Sequence, residues 1–198
     1  MARSGLSPAR VIEAAAVLAD HDGYATLTLA SVAAELGVRL PSLYNHVDGL
    51  DALRRALSVR ACAELHDTLA EAIGGRSGDD ALRAAARAYR AWGRAHPGLY
   101  AASQVAPRPD DAEHVAAATR VVDTLVAALR EHALGRDRAI HAIRVIRASL
   151  HGFVQLELSG GFGLPLKVDE SYDHLMDVLL AGLAATAADR AHARSRKA

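Results

Sequence analysis

The chain is short of the groups that staple, clamp or anchor other proteins. Its one cysteine, Cys62, has no thiol partner for a disulfide. None of its ten histidines falls in a His-x3-His spacing, so no metal site is expected. Hydrophobic segments are interrupted by Arg, Asp, Glu or His before they reach the roughly 18 residues of a membrane span. The start, MARSGLSPARV, lacks the apolar core of a secretory signal. These absences predict a cytoplasmic protein with no membrane contact. The chain also lacks a nucleophile elbow, a phosphate-binding glycine loop and a dinucleotide fingerprint, and GGFG at 160–163 follows a helical pattern instead of a strand. Neither an enzyme nor a bound cofactor is expected; a helical-bundle enzyme would rest on unpaired histidines alone.

Aromatic residues make up only 4%, with two Phe and one Trp, and lysine occurs twice against 21 arginines. The arginine excess carries no functional argument, because a GC-rich genome produces it equally. What fills the chain is alanine, 44 of 198 residues, the best helix former. With 51% hydrophobic residues and no net charge, the chain can bury a core without staples and is not disordered. The fold class is therefore expected to be all-α, in one compact domain or a small one fused to a larger one.

Proline and glycine divide the sequence into blocks whose apolar residues recur at three and four. Ser7-Pro8 opens a helix ending at His21-Asp22-Gly23. Short helices follow at Leu29–Leu36 and Leu40–His46, then a long one at Leu50–Ile73 that reads as a connecting spine. Later segments are Asp80–His96, a turn at Leu99–Val105, Ala112–Leu134, Asp137–Ser159 and Glu170–Ala188, about nine helices in all. The exposed tail carries Arg190, Arg194, Arg196 and Lys197.

Residues 27–53, LTLASVAAELGVRLPSLYNHVDGLDAL, have the spacing of a helix-turn-helix. Ala33 stands at the close crossing, Gly37 in the turn and Leu43 at the lock, with Val32, Leu36, Val38 and Val47 as the packing set. The opposite face shows Arg39, Leu40, Ser42, Tyr44, Asn45 and His46, groups suited to a major groove and its phosphates. The first 50 residues hold three arginines against five carboxylates, so few counterions would be released on binding and the salt dependence should be shallow.

GVRLPSLYNHV, with the preceding TLTLASVAAEL and the first helix, resembles the tetracycline-repressor-like (TetR) family of bacterial transcriptional regulators over about residues 8–57. HPGLY at 96–100 and LHGF at 150–153, followed by GGFGLPL, are similar to a C-terminal domain type named for a Trp-His-Gly motif, with Leu150 where its tryptophan stands. The resemblance implies a three-helix head over residues 1–50 and a helical-bundle domain for ligand binding and dimerisation over 51–198. It implies that Tyr44 and His46 hold phosphates, that Thr28 caps the second helix and donates to a phosphate, and that Arg39, Leu40, Pro41, Ser42 and Asn45 face base edges. Many members carry a phosphate-pairing lysine where this chain has Leu50.

The implied function is a homodimeric repressor on a palindromic double-stranded DNA operator, released by a small-molecule effector. The alternative is a ligand-binding or protein-interaction module that keeps the head without sequence-specific DNA binding. For the effector, Tyr89, Trp92, His96 and Tyr100 at near-helical spacing, with His151 and Gln155 one turn apart, either line a cavity or fill the core. The apolar stripe of the last helix serves either the monomer's core or an interface; for a dimer, the last two helices offer Ile143, Arg147, Leu150, Val154, Leu175, Met176, Leu179 and Leu183, with small residues for close approach at Ala148, Gly152, Ala181, Gly182 and Ala185.

Overall fold

A computed structural model describes the backbone of residues 5–195 and the side chains of residues 5–186. Arg3 and the side chains of the basic tail at Arg190, Arg194, Arg196 and Lys197 lie outside the described residues. Nine α-helices and two short 3-10 turns make up the described structure, and no strand occurs among the described residues. The helices are α1 (Pro8–Asp22), α2 (Leu29–Glu35), α3 (Leu40–Leu43), α4 (Gly49–Ile73), α5 (Gly78–Ala95), α6 (Pro97–Ser103), α7 (Ala112–Ala128), α8 (Arg136–Leu158) and α9 (Val168–Ser195). Among the described residues, no helix is long and apolar enough to cross a membrane.

The chain forms two compact units. The first comprises residues 1–65 and 95–119, the second residues 66–94 and 120–198. This division departs from the expected one at residue 50. The first unit keeps the start of α4 and recruits α6 and the start of α7, because α1 buries itself against α6 as well as α2. Its interior is made by Val11, Ala15, Val32, Leu43, Leu53, Leu57 and Tyr100, all fully enclosed.

Local chemistry accounts for the ends of these helices. Ser7 accepts a hydrogen bond from Arg10 N at 3.3 Å and Pro8 stands in the first turn, so α1 starts where an orphan N–H is satisfied and a missing one is harmless. Gly23, with φ of 101°, ends it. Two helices differ from expectation. Instead of continuing to His46, α3 stops at Leu43, where His46 N donates to Leu43 O at 2.8 Å and tightens the chain toward the Gly49 turn. Likewise α7 stops at Ala128 instead of Leu134: His132 N and Ala133 N donate to carbonyls three residues back, and Ala133 takes the left-handed conformation at φ 49°. Where a turn was expected after Pro97, α6 is a helix of seven residues.

In the second unit α9 packs on α8 and on the 3-10 turn at Arg130–His132. Tyr172 on α9 is buried and its hydroxyl donates to Ala86 O of α5 at 2.7 Å. Arg90 of α5 lies 4.8 Å over the Tyr172 ring and 5.7 Å over Phe153 of α8. Its guanidinium grips Glu157 through both carboxylate oxygens, at 2.7 and 2.6 Å, and reaches Asp169 at 2.7 Å. One side chain thus joins three helices. The hydrogen bonds from Arg90 hold the Glu157 carboxyl below its ordinary range, and burial pushes the Tyr172 phenol well above its own.

Candidate nucleic-acid interface

The helix-turn-helix is built by two backbone devices. At the start of α2, Thr28 and Ser31 form a reciprocal capping box: Ser31 N donates to Thr28 Oγ1 at 3.0 Å and Thr28 N to Ser31 Oγ at 3.2 Å. At its end Val38 N donates to Ala33 O at 3.0 Å and Gly37 N to Ala34 O at 3.1 Å, with Gly37 at φ 66°. That is a Schellman closure, and a side chain there would have to adopt a left-handed backbone that only glycine takes without cost. The closure turns the chain sharply into α3, where Pro41 sits in the first turn.

The buried side is formed by Leu27, Val32, Ala33 and Leu43. The remaining positions stand outward: Thr28, Arg39, Leu40, Pro41, Tyr44 and Asn45 are exposed, and Ser42 and His46 half-buried. Tyr44, at 56% exposure, contributes little to the core. All eight expected DNA-facing residues therefore lie in one unit, on the capped start of α2 and the segment from Arg39 to His46.

A residue that sequence reasoning did not single out supports this surface from behind. Arg54, on α4, donates through one guanidinium nitrogen to Ala25 O at 3.2 Å and Leu27 O at 3.4 Å, and lies 5.8 Å over the Tyr24 ring. It thereby fixes the corner from which α2 departs. A second such residue is Asp20 of α1: its carboxylate accepts from Gly98 N at 2.8 Å and Leu99 N at 2.9 Å, and faces His96 Nδ1 at 3.2 Å. The first turn of α6 is thus capped by the head. Arg60 of α4 pairs with Glu13 of α1 and with Glu64, so Glu13, like Asp20, already has an internal partner. Arg55 bonds Asp111 and Glu113 and holds the Asp111 carboxyl at about 2.

The residues considered for an effector divide between the units. Tyr89 and Trp92 of α5 are buried, and His151 and Gln155 of α8 half-buried, in the second. His96 and Tyr100 belong to the first, His96 beside Asp20 and Tyr100 fully enclosed. Burial, helped by the charge of Arg147, lowers the pKa of His151 below the usual histidine value. The residues weighed between the chain's own core and a dimer contact divide by burial. Ile143, Leu150, Val154, Met176 and Leu183 are buried within the single chain, leaving Arg147 exposed and Leu175 and Leu179 half-buried. Val145, Gly152, Val178 and Gly182 are exposed on α8 and α9, beside the charged Arg138, Arg144, Arg147, Asp173 and Asp177. Between these helices runs a groove of about 490 Å³ lined by Arg138, His141, Val145, Ile146, Val178 and Gly182, among others.

Comparison with known proteins agrees with the capped head and the bundle. Residues 82–179 match the family description "Tetracyclin repressor-like, C-terminal domain". An uncharacterised HTH-type transcriptional regulator of Mycobacterium tuberculosis is 38% identical over 156 residues, covering 78% of this chain and 72% of that protein. The HTH-type regulator YobS of Bacillus subtilis, also uncharacterised, is 34% identical over 91% of this chain and 94% of its own. The chain belongs to the tetracycline-repressor-like family of transcriptional regulators. Solved structures of similar fold include the following two. A protein of unknown function from Rhodococcus sp. RHA1 has a TM-score of 0.76 and 26% identity, covering 92% of this chain and 97% of its own. ActR of Streptomyces coelicolor, in complex with (S)-DNPA, has a TM-score of 0.64 and 19% identity over 93% of this chain and 100% of its own.

Proposed function

We propose that this TetR-family protein is a homodimeric repressor that grips a palindromic operator through residues 28 and 39–46 and releases it when a small molecule binds the 51–198 region. The observation that carries this reading is the outward set Thr28, Arg39, Leu40, Pro41, Ser42, Tyr44, Asn45 and His46 on a segment closed by a capping box and a Schellman turn. Tyr44, His46 and Thr28 address phosphates and the others base edges. Buried Tyr89 and Trp92, with His151 and Gln155, are the second unit's candidates for an apolar, partly aromatic effector. The ligand held by ActR is the precedent on this fold. Effector binding shifts the head only by its differential affinity for the two states.

The test is fluorescence anisotropy of the full chain with DNA from upstream of its own gene beside a scrambled duplex. The upstream fragment should bind at least about a hundredfold tighter, within the range of specific over non-specific binding. Tyr44→Ala should abolish the difference while leaving the circular dichroism melt in place, since its side chain is mostly exposed. If neither duplex binds and genomic selection recovers no site, the repressor reading fails and the interaction-module alternative replaces it. The same titration at several salt concentrations should give a slope of about −2 to −3 per head, since few cations lie near the surface.

The dimer is assigned to the outer surface of α8 and α9. A Cβ at Gly182 or Gly152 would meet nothing within 4 Å in the chain itself, so intrachain packing does not require these glycines. Gly182→Glu should therefore leave the fold intact, yet weaken self-association at least about tenfold by placing a bulky charged side chain where close approach of two helices needs a small residue. Sedimentation equilibrium checks this; an unchanged dimer would place the interface elsewhere.

A further inference from the structure

We propose that Leu40 reads the 5-methyl group of one thymine in each operator half-site. This rests on the reading that the Arg39–His46 segment faces base edges. Leu40 opens α3, and its side chain is 38% exposed, while Leu43 of the same helix is fully buried and does the anchoring. Pro41 beside it is exposed as well, so the segment presents an apolar step between the Arg39 guanidinium and the Ser42 hydroxyl. Arg39 stands at the N-cap of α3 and makes no side-chain capping hydrogen bond.

The chemistry of the groove then limits what Leu40 can recognise. Base edges there offer donors and acceptors at every pair, and the one apolar group among them is the thymine methyl. A branched aliphatic side chain satisfies no donor or acceptor, and placed over a guanine or cytosine edge it would strip water from groups it cannot bond. Over a thymine methyl both partners leave water together, which favours contact. The neighbouring polar groups, Arg39, Ser42 and Asn45, are then left to read hydrogen-bonding edges at the flanking pairs. Leu40 thus sets a preference by shape and hydrophobicity at one position, separately from the charge that sets overall affinity.

The experiment uses the full chain and a duplex selected from random-sequence DNA. Each thymine of the selected site is replaced, symmetrically in both half-sites, by deoxyuridine, which removes the methyl and nothing else. One position should lose about fourfold in affinity per half-site, the worth of burying one methyl group. Leu40→Ala should bind the thymine duplex more weakly and show no further loss on the deoxyuridine duplex. Leu40→Met should keep the sensitivity, and the salt slope should be the same for all three proteins. If no thymine is sensitive in the wild-type protein, or if Leu40→Ala keeps the full sensitivity, the assignment is wrong while DNA recognition stands. Sensitivity that persists in Leu40→Ala and vanishes in Pro41→Ala overturns it in favour of the proline. If selection recovers no preferred sequence, the underlying DNA reading fails first, and visibly so.

Discussion

Gly98→Ala should lower the melting temperature of the first unit by roughly 8–16 °C, at about 2–4 °C per kcal/mol for a chain of this size. A Cβ on Gly98 would fall within 2.5 Å of Asp20 N and closer still to the carbonyl carbon and oxygen of Ala19. Every one of these atoms is backbone, so no rotamer change relieves the clash, and α6 must back away from α1. Overpacking of this kind costs about 1–3 kcal/mol. Retreat of α6 also stretches the two bonds that Asp20 accepts from Gly98 N and Leu99 N, each worth about 1.5 kcal/mol or more when the acceptor is charged. The combined loss is about 4 kcal/mol. Differential scanning calorimetry checks it, and a shift under 3 °C would mean that the two helices part without cost.

The second large effect is expected at Arg90. Arg90→Met keeps much of the stem that packs on Tyr172 and Phe153 but removes the guanidinium. Glu157 is then left half-buried, with Arg94 at 3.6 Å as its nearest remaining cation, while the exposed Asp169 returns to water. Breaking one partner of a mostly buried pair costs about 3 kcal/mol. The loss depends on pH with a definite sign. Glu157 has its folded-state pKa held below the ordinary 4.5, so the pair stabilises fully above that value and loses its contribution as pH falls through the folded value. Urea denaturation of wild type and Arg90→Met should therefore differ most near neutrality and converge only as pH falls through the folded-state pKa of Glu157, itself below the ordinary value. Parallel curves across that range would show that Arg90 acts by packing alone.

The parts of this fold that announced themselves in the sequence are those fixed by local chemistry. Ser7-Pro8, Thr28 and Gly37 act on backbone groups within five residues, and the structure places each at the helix end it was expected to set. The outward residues at 39–46 were legible for the same reason, since Leu43 alone in that stretch is fully buried. What was not legible depended on partners far along the chain. Asp20 reads as one more acidic residue near a helix end until α6 arrives, 78 residues later, to be capped by it. HPGLY was visible as a motif, but the need for its glycine lies in the backbone of α1. The apolar stripes of α8 and α9 are plain in the sequence, yet periodicity does not say which neighbour covers a stripe. Ile143, Leu150, Val154, Met176 and Leu183 turn out to serve the chain's own core. The endings of α3 and α7 are not legible in the sequence, because a tightened last turn leaves no mark in residue type.

The clasp between Asp20 and the start of α6 also bears on how the protein is made. A head completed by residues 95–119 cannot finish folding when residue 65 leaves the ribosome. During synthesis at about 5–20 residues per second, α1 waits several seconds for the helix that covers it, α6. A fragment ending after α4 would leave the surface of α1 around Ala19 bare to solvent and to other nascent chains. Grafting this head onto another protein therefore calls for two pieces of chain, and a single cut after α3 would carry residues 28 and 39–46 without the helix that packs on α1.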